Sequence, residues 1–133
     1  MAIDYDRLMA LRIPDREHSY TWRDTALYAL GLGAGLDPQA PDDLRFVFEQ
    51  DMRALPTMAV VLAHPGFWIR DLDTGVDWVR VVHGEQGLEM HRDLPVEGTV
   101  IGQNRVLEVV DKGTGRGALI LSERRLFDKS SGD

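Results

Sequence analysis

The chain predicts an α+β fold in which a curved antiparallel sheet wraps around one central apolar helix. Three observations carry that prediction. Residues 55–63 form the most apolar run of the sequence, opened by Pro56 and closed by His64-Pro65-Gly66. The latter half, from Trp78 onward, is dominated by extended apolar segments separated by turn residues. The length of 133 residues allows one core but not two. Wrapping the late strands around the central segment is the natural way to bury it.

Composition narrows the function classes. A 44% hydrophobic and 28% charged chain is ordinary for a globular domain, so no disordered or fibrous class applies. The net charge of −7, with acids and bases interspersed, disfavours a nucleic-acid partner, whose phosphates demand a basic surface. The cysteine count of 0 rules out a disulfide framework and a thiolate metal site. The opening Met1-Ala2-Ile3-Asp4 lacks a basic region followed by an apolar run, and no stretch reaches membrane-spanning length. The expectation is a cytoplasmic protein with neither membrane nor nucleic acid as partner.

Each element has its own grounds. Residues 1–20, interrupted by Pro14, read as an extended lead-in. Thr21 is a suitable N-cap for a helix from Trp22 to about Leu30, with Asp24 near its positive end and Gly31, Gly33 and Gly35 stopping it. Those glycines follow a helix and precede Pro38, the reverse of a dinucleotide-binding order, so they mark a helix stop and a loop. Residues 44–49 alternate, with Leu44, Phe46 and Phe48 on one face, and predict a strand. Pro56 suits the first turn of a short helix over 55–63, buried nearly all round, although Val60 and Val61 favour strand. Residues 67–77 read as a loop with short ordered pieces, with Thr74-Gly75 as a turn.

From Trp78 the chain reads as extended and leads into His83-Gly84-Glu85-Gln86-Gly87-Leu88-Glu89-Met90-His91. Leu88 and Met90 alternate with Glu89 and His91, as a half-buried strand requires, and the polar first half sits beside Gly84, where backbone can approach a ligand or neighbouring strand. Pro95 and Gly98 end this strand. A long strand follows over 99–111, then a turn at Lys112-Gly113-Thr114-Gly115, then a strand over 117–128. Apolar residues on both faces of that last strand (Ala118 and Ile120, Leu119 and Leu121) predict that it is covered on both sides. Residues 129–133 are a polar tail.

Reactive groups are few. His18, His64, His83 and His91 form no metal-binding pair, and the sequence has no Gly-x-Ser-x-Gly elbow. Neither a metal nor a catalytic nucleophile is expected. Glu49, at a strand end, suits acid–base chemistry, although capping an amide or pairing with an arginine is the commoner use of such a carboxylate.

Six short motifs then occur in a telling order. They are Tyr20-Thr21-Trp22-Arg23-Asp24, Tyr28-Ala29-Leu30-Gly31-x-Gly33-Ala34, Leu55-Pro56-Thr57, His83-Gly84-Glu85-Gln86, Leu94-Pro95-x-x-Gly98 and Asp111-Lys112-Gly113. Together they resemble the N-terminal, non-catalytic half of MaoC-like dehydratases, and more narrowly the first hot-dog unit of the (R)-specific 2-enoyl-CoA hydratases of the hydratase 2 type. The resemblance implies a single hot-dog domain over 1–133, lacking a last strand that the family would add. It identifies residues 55–63 with the central helix of that fold. The implied activity is hydration of a trans-2-enoyl-CoA to a (3R)-hydroxyacyl-CoA in fatty acid metabolism, with no cofactor beyond the thioester substrate.

The family's catalytic Asp and His lie in a Gly-Asp-x-Asn-Pro-x-His motif of the second unit. This sequence has no such motif; before the central segment stands Glu49-Gln50-Asp51-Met52-Arg53-Ala54. What the resemblance implies is therefore an acyl-accommodating unit with no catalytic residue, completed by a catalytic hot dog in cis or trans as a dimer or pseudo-dimer. Leu55, Pro56, Met58 and Val61 are the residues expected to line the acyl chain. Glu49, His83, Gly84, Glu85 and Gln86 match family positions, with hydrogen bonding in the sheet or between the halves the expected use of His83 and Glu85. Two rival readings are a stand-alone acyl-CoA-binding dimer and a single-unit thioesterase with Glu49 or Asp51 as general base.

Overall fold

A computed structural model describes residues 3–133. The lead-in is more ordered than expected. Asp4 caps a short helix α1 (Tyr5–Met9) by accepting from the Arg7 N–H at 3.0 Å, and α1 buries Leu8. Strand β1 (Arg16–Tyr20) follows. It carries no long apolar alternation, and only pairing with a distant strand makes it extended.

Helix α2 (Trp22–Gly31) forms where its signals place it. The Asp24 carboxylate accepts from the Thr21 N–H at 2.8 Å, and Asp24 also favours the positive end of the helix. At the far end the Gly33 N–H donates to the Leu30 carbonyl and the Ala34 N–H to that of Ala29, both at 3.0 Å. This C-terminal cap needs a left-handed residue, and Gly33 supplies it with φ 93°.

Residues 44–49 are not a strand. Pro41 starts a short helix α3 (Pro41–Leu44), with Asp42 and Asp43 in its first turn, and helical turns continue as the Phe48 N–H donates to the Leu44 carbonyl. Alternation alone makes no strand where no edge is in reach, while proline and two acids at a helix start act locally.

The central segment is also shorter than the expected helix. It is a single 3₁₀ turn, Pro56–Val60, referred to here as the central turn. Met58, Ala59, Leu62 and Ala63 are buried, but Val61 is 49% exposed, so the segment is covered on one side rather than all round. A further short helix, α4 (Trp68–Asp71), follows.

The sheet is antiparallel with order β1-β2-β3, where β2 is Gly98–Asp111 and β3 is Ala118–Asp128. The two long strands and the turn between them match the sequence reading closely. Pairing places Val100 opposite His18 and Asp128, Gly102 opposite Arg16 and Leu126, and Asn104 opposite Arg124. A bulge between Val106 and Glu108 shifts the register of the outer arm. The central turn lies on this sheet. Tyr20, Met58, Leu62, Ala63 and Val100 make the core, with Tyr28, Ala54, Leu94 and Leu126 packed against it.

Two further expectations fail. Residues 78–95 are not a strand: Trp78–Arg80 is a 3₁₀ turn, and the His83–His91 stretch runs exposed along the surface. Among the described residues, no backbone–backbone hydrogen bond engages 82–97. An alternating pattern becomes a strand only when a ladder partner is present. The two-sided cover of β3 is missing as well, since Leu119 is 51% and Leu121 42% exposed. Among the described residues, no helix is long and apolar enough to cross a membrane.

Candidate functional site: the central turn and its cradle

The central turn is held from both sides. From α2, the Tyr28 hydroxyl donates to Thr57 Oγ1 at 3.0 Å. From β3, the Arg124 guanidinium donates through Nη1 to the Val60 carbonyl at 2.6 Å and the Leu62 carbonyl at 3.0 Å. Its Nε donates to Asn104 Oδ1 at 3.3 Å. These carbonyls lie where a short helix ends and would otherwise go unpaired. Among the described residues, Arg124 has no carboxylate partner, and burial pushes its pKa below the ordinary arginine value. Asn104 Nδ2 is buried beside it with no hydrogen-bond partner.

The segment beyond the turn approaches the sheet so closely that only glycine fits beneath it. A Cβ on Gly102 would stand 2.8 Å from the Ala63 Cβ and 2.9 Å from the Ala63 carbonyl oxygen. Ala63 itself adopts φ 49°, a left-handed conformation unusual for alanine. Its N–H donates to His18 Nδ1 on β1 at 2.9 Å. His18, placed by the sequence in an extended lead-in, is thus a fixed part of the cradle.

The Tyr20 hydroxyl donates to the Pro95 carbonyl at 2.7 Å, and the buried Thr25 hydroxyl donates to that of Val96 at 2.6 Å. Together they pin the end of the exposed 82–97 segment. Burial, and secondarily the Asp128 carboxylate, push the Tyr20 phenol from 10.0 up to about 12.

The sequence-selected residues are dispersed. Met58 is 2% exposed and belongs to the core; Leu55 is half-buried and Pro56 exposed. Val61 opens onto a cavity of about 250 Å³ shared with Arg16, Glu17, His18, Ala63 and His64. Glu49 is exposed beyond α3, and Asp51 is exposed with φ 54°. His83, Gly84, Glu85 and Gln86 are all exposed, with the Gln86 amide donating to the Gly87 carbonyl. The arrangement therefore gathers no acid–base pair. It offers a partly open apolar turn beside an unpaired extended segment.

Arg124, Asn104, Gly102 and His18 did not stand out in the sequence. Their signal was register: Arg124 shares the inward phase of Leu126, an unusual position for an arginine unless carbonyls await it.

Comparison with known proteins places this arrangement. Residues 18–133 match the family model described as the MFE-2 hydratase 2 N-terminal domain. A Dictyostelium discoideum protein named "Probable enoyl-CoA hydratase 2" is 34% identical over 140 residues, which span 99% of this chain and 45% of that protein. A solved MaoC-like dehydratase from Phytophthora capsici superposes with TM-score 0.73 at 26% identity, covering 94% of this chain and 44% of the other. The full-length peroxisomal multifunctional enzyme type 2 of Drosophila melanogaster superposes with TM-score 0.67 at 34% identity, covering 87% of this chain and 20% of that one. The chain thus spans less than half the length of these relatives. With its sheet, its central turn and all six motifs inside the matched span or at its edges, this chain belongs to the MFE-2 hydratase 2 N-terminal domain family, of hot-dog fold.

Proposed function

We propose that this chain is the substrate-accommodating hot-dog unit of an (R)-specific 2-enoyl-CoA hydratase, with the catalytic Asp/His pair on a second hot-dog unit. The observation that carries the proposal is the family match over 18–133 in a sequence that lacks the Gly-Asp-x-Asn-Pro-x-His motif. The acyl-CoA substrate belongs to the two units together, and this unit lends the apolar flank of its central turn. Leu55, Pro56 and Val61 are accessible enough to meet an acyl chain, whereas Met58 acts from beneath as packing.

Exposed apolar surface supports a partner. Val79, Val82, Leu88 and Met90 lie along the unpaired segment, and Leu107, Leu119 and Leu121 on the outer arm of the hairpin. His83 and Glu85, exposed on this chain alone, then serve as hydrogen-bonding groups at the junction of the halves.

The test is turnover. Purified alone, the chain should leave crotonyl-CoA and longer enoyl-CoA thioesters unhydrated. Mixed with, or fused to, a catalytic hydratase 2 unit, it should yield the (3R)-hydroxyacyl product. Hydration by the chain alone would refute the division of labour. Tight acyl-CoA binding by the chain alone, measured calorimetrically, would favour a stand-alone binding dimer.

A further inference from the structure

The cavity between β1 and the end of the central turn has a composition at odds with the protein's overall charge. Arg16, His18 and His64 line it together with Glu17, Val61 and Ala63. Glu17 is neutralised there, because Lys129 Nζ donates to both of its carboxylate oxygens at 2.9 Å. Among the described residues, Arg16 pairs with no carboxylate. Arg124 adds a second guanidinium nearby, occupied by carbonyls rather than by an acid. In a chain of net charge −7, this is a local concentration of positive charge.

The two imidazoles are set in the same sense. His18 Nδ1 accepts the Ala63 N–H at 2.9 Å, and His64 Nδ1 accepts the Gly66 N–H at 3.0 Å. A neutral imidazole that accepts at Nδ1 carries its proton on Nε2. Both rings are therefore N–H donors from the remaining nitrogen, and the backbone holds both in that tautomer. Burial first, then the fields of Arg124 and Arg16, hold the His64 pKa below its ordinary value, and the guanidinium groups of Arg16 and Arg124 make the site electropositive without any charge on that ring. Tyr20, whose ring centroid lies 6.5 Å from that of His18, stays a neutral phenol and does not offset this.

We propose that this cavity is a binding site for a phosphate-type dianion, with the Arg16 guanidinium and the Nε2–H groups of His18 and His64 as its donors. The volume of about 250 Å³ exceeds what one phosphate group needs, so a phosphate monoester with part of the molecule it is attached to also fits. The shared chemistry is the dianion; free phosphate and the phosphate monoester of a coenzyme A thioester are its two sources. The site shares Val61 with the acyl-accommodating flank, its coenzyme A source rests on the hydratase reading, and its donors come from β1 and the loop after the turn.

The test follows the histidine Cε1–H resonances of the 133-residue chain during titration with inorganic phosphate, coenzyme A and dephospho-coenzyme A. Saturable shifts confined to His18 and His64, with an upward move of the His64 pKa in saturating phosphate, are expected. Arg16→Gln should weaken phosphate by about tenfold, the size of one charge-assisted hydrogen bond, and Arg16→Lys should restore part of the loss. Arg80→Gln, which removes an exposed cation elsewhere, should change nothing.

Coenzyme A binding about tenfold tighter than dephospho-coenzyme A, and competing with phosphate, would support the monoester as occupant. Equal binding of the two, alongside saturation by inorganic phosphate, would support free phosphate. Absence of saturable shifts, or an unchanged affinity in folded Arg16→Gln protein, would overturn the site. That failure would leave the hydratase reading intact, since turnover tests it separately.

Discussion

Gly102 packs tightly under Ala63, whose Cβ and carbonyl oxygen a Cβ at position 102 would meet at 2.8 and 2.9 Å. Gly102→Ala forces a methyl into a space already filled by the Ala63 Cβ and carbonyl oxygen. A loss of about 1–3 kcal/mol is expected in urea unfolding, the usual cost of overpacking a core. Tyr20 makes a pH prediction. Its folded pKa is raised from 10.0 to about 12, so the neutral phenol is favoured in the folded state. The stability this contributes is fully present below pH 10 and is lost as pH rises through about 12. Unfolding measured against pH should therefore show a steep alkaline limb. Tyr20→Phe, which also removes the bond to the Pro95 carbonyl, should lower stability at neutral pH and flatten that limb. An unchanged limb in the variant would place the titration elsewhere.

Individual elements differ in how far their signals are local. Helix α2 was legible because Thr21, Asp24 and Gly33 act within one turn of its ends. The β2–β3 hairpin was legible for a similar reason: Gly113, Gly115 and Gly117 adopt positive φ between two apolar runs that need only each other. Strand β1 and the irregular course of 78–95 were not legible, because extended backbone is decided by the partner it meets. The hairpin's outer arm likewise depends on a partner distant in the chain or outside it. Leu119 and Leu121 share one face of β3 and are exposed in this chain, against the cover that their pattern predicts. Leu119→Lys with Leu121→Lys should leave the stability of the isolated chain within about 0.5 kcal/mol, as at other exposed sites. The same pair should weaken association with a catalytic unit by at least about tenfold, as read by sedimentation. A large loss of stability in the isolated chain would show the arm to be internally packed.

For the molecule as a whole, the relevant boundary is between what this chain completes and what it leaves open. Its core closes over Met58, Leu62 and Val100. Its 82–93 segment is exposed and has no ladder partner among the described residues, while Leu94, Pro95 and Val96 anchor its end to the core. Amide hydrogen exchange across 82–97 should be fast in the isolated chain and should slow when a catalytic unit is added. The melting temperature should rise with the concentration of that unit, because a partner that binds only the folded state stabilises it. Unchanged exchange in an active two-unit assembly would exclude this segment from the junction.

The amino-acid sequence by itself determined the α+β class, the capped helix, the long hairpin and the family. Each of these depends on neighbours within a few residues or on motif order along the chain. Only the tertiary structure decided that the central segment is one 3₁₀ turn, that Arg124 and His18 hold its end, and that Gly102 lies beneath it. It alone also brought Arg16, His18 and His64 to one cavity, from parts of the chain some 45 residues apart. The physical reason is register. Which side chains face inward from paired strands, and which carbonyls they find there, is set by contacts between distant segments and not by the residues adjacent to each.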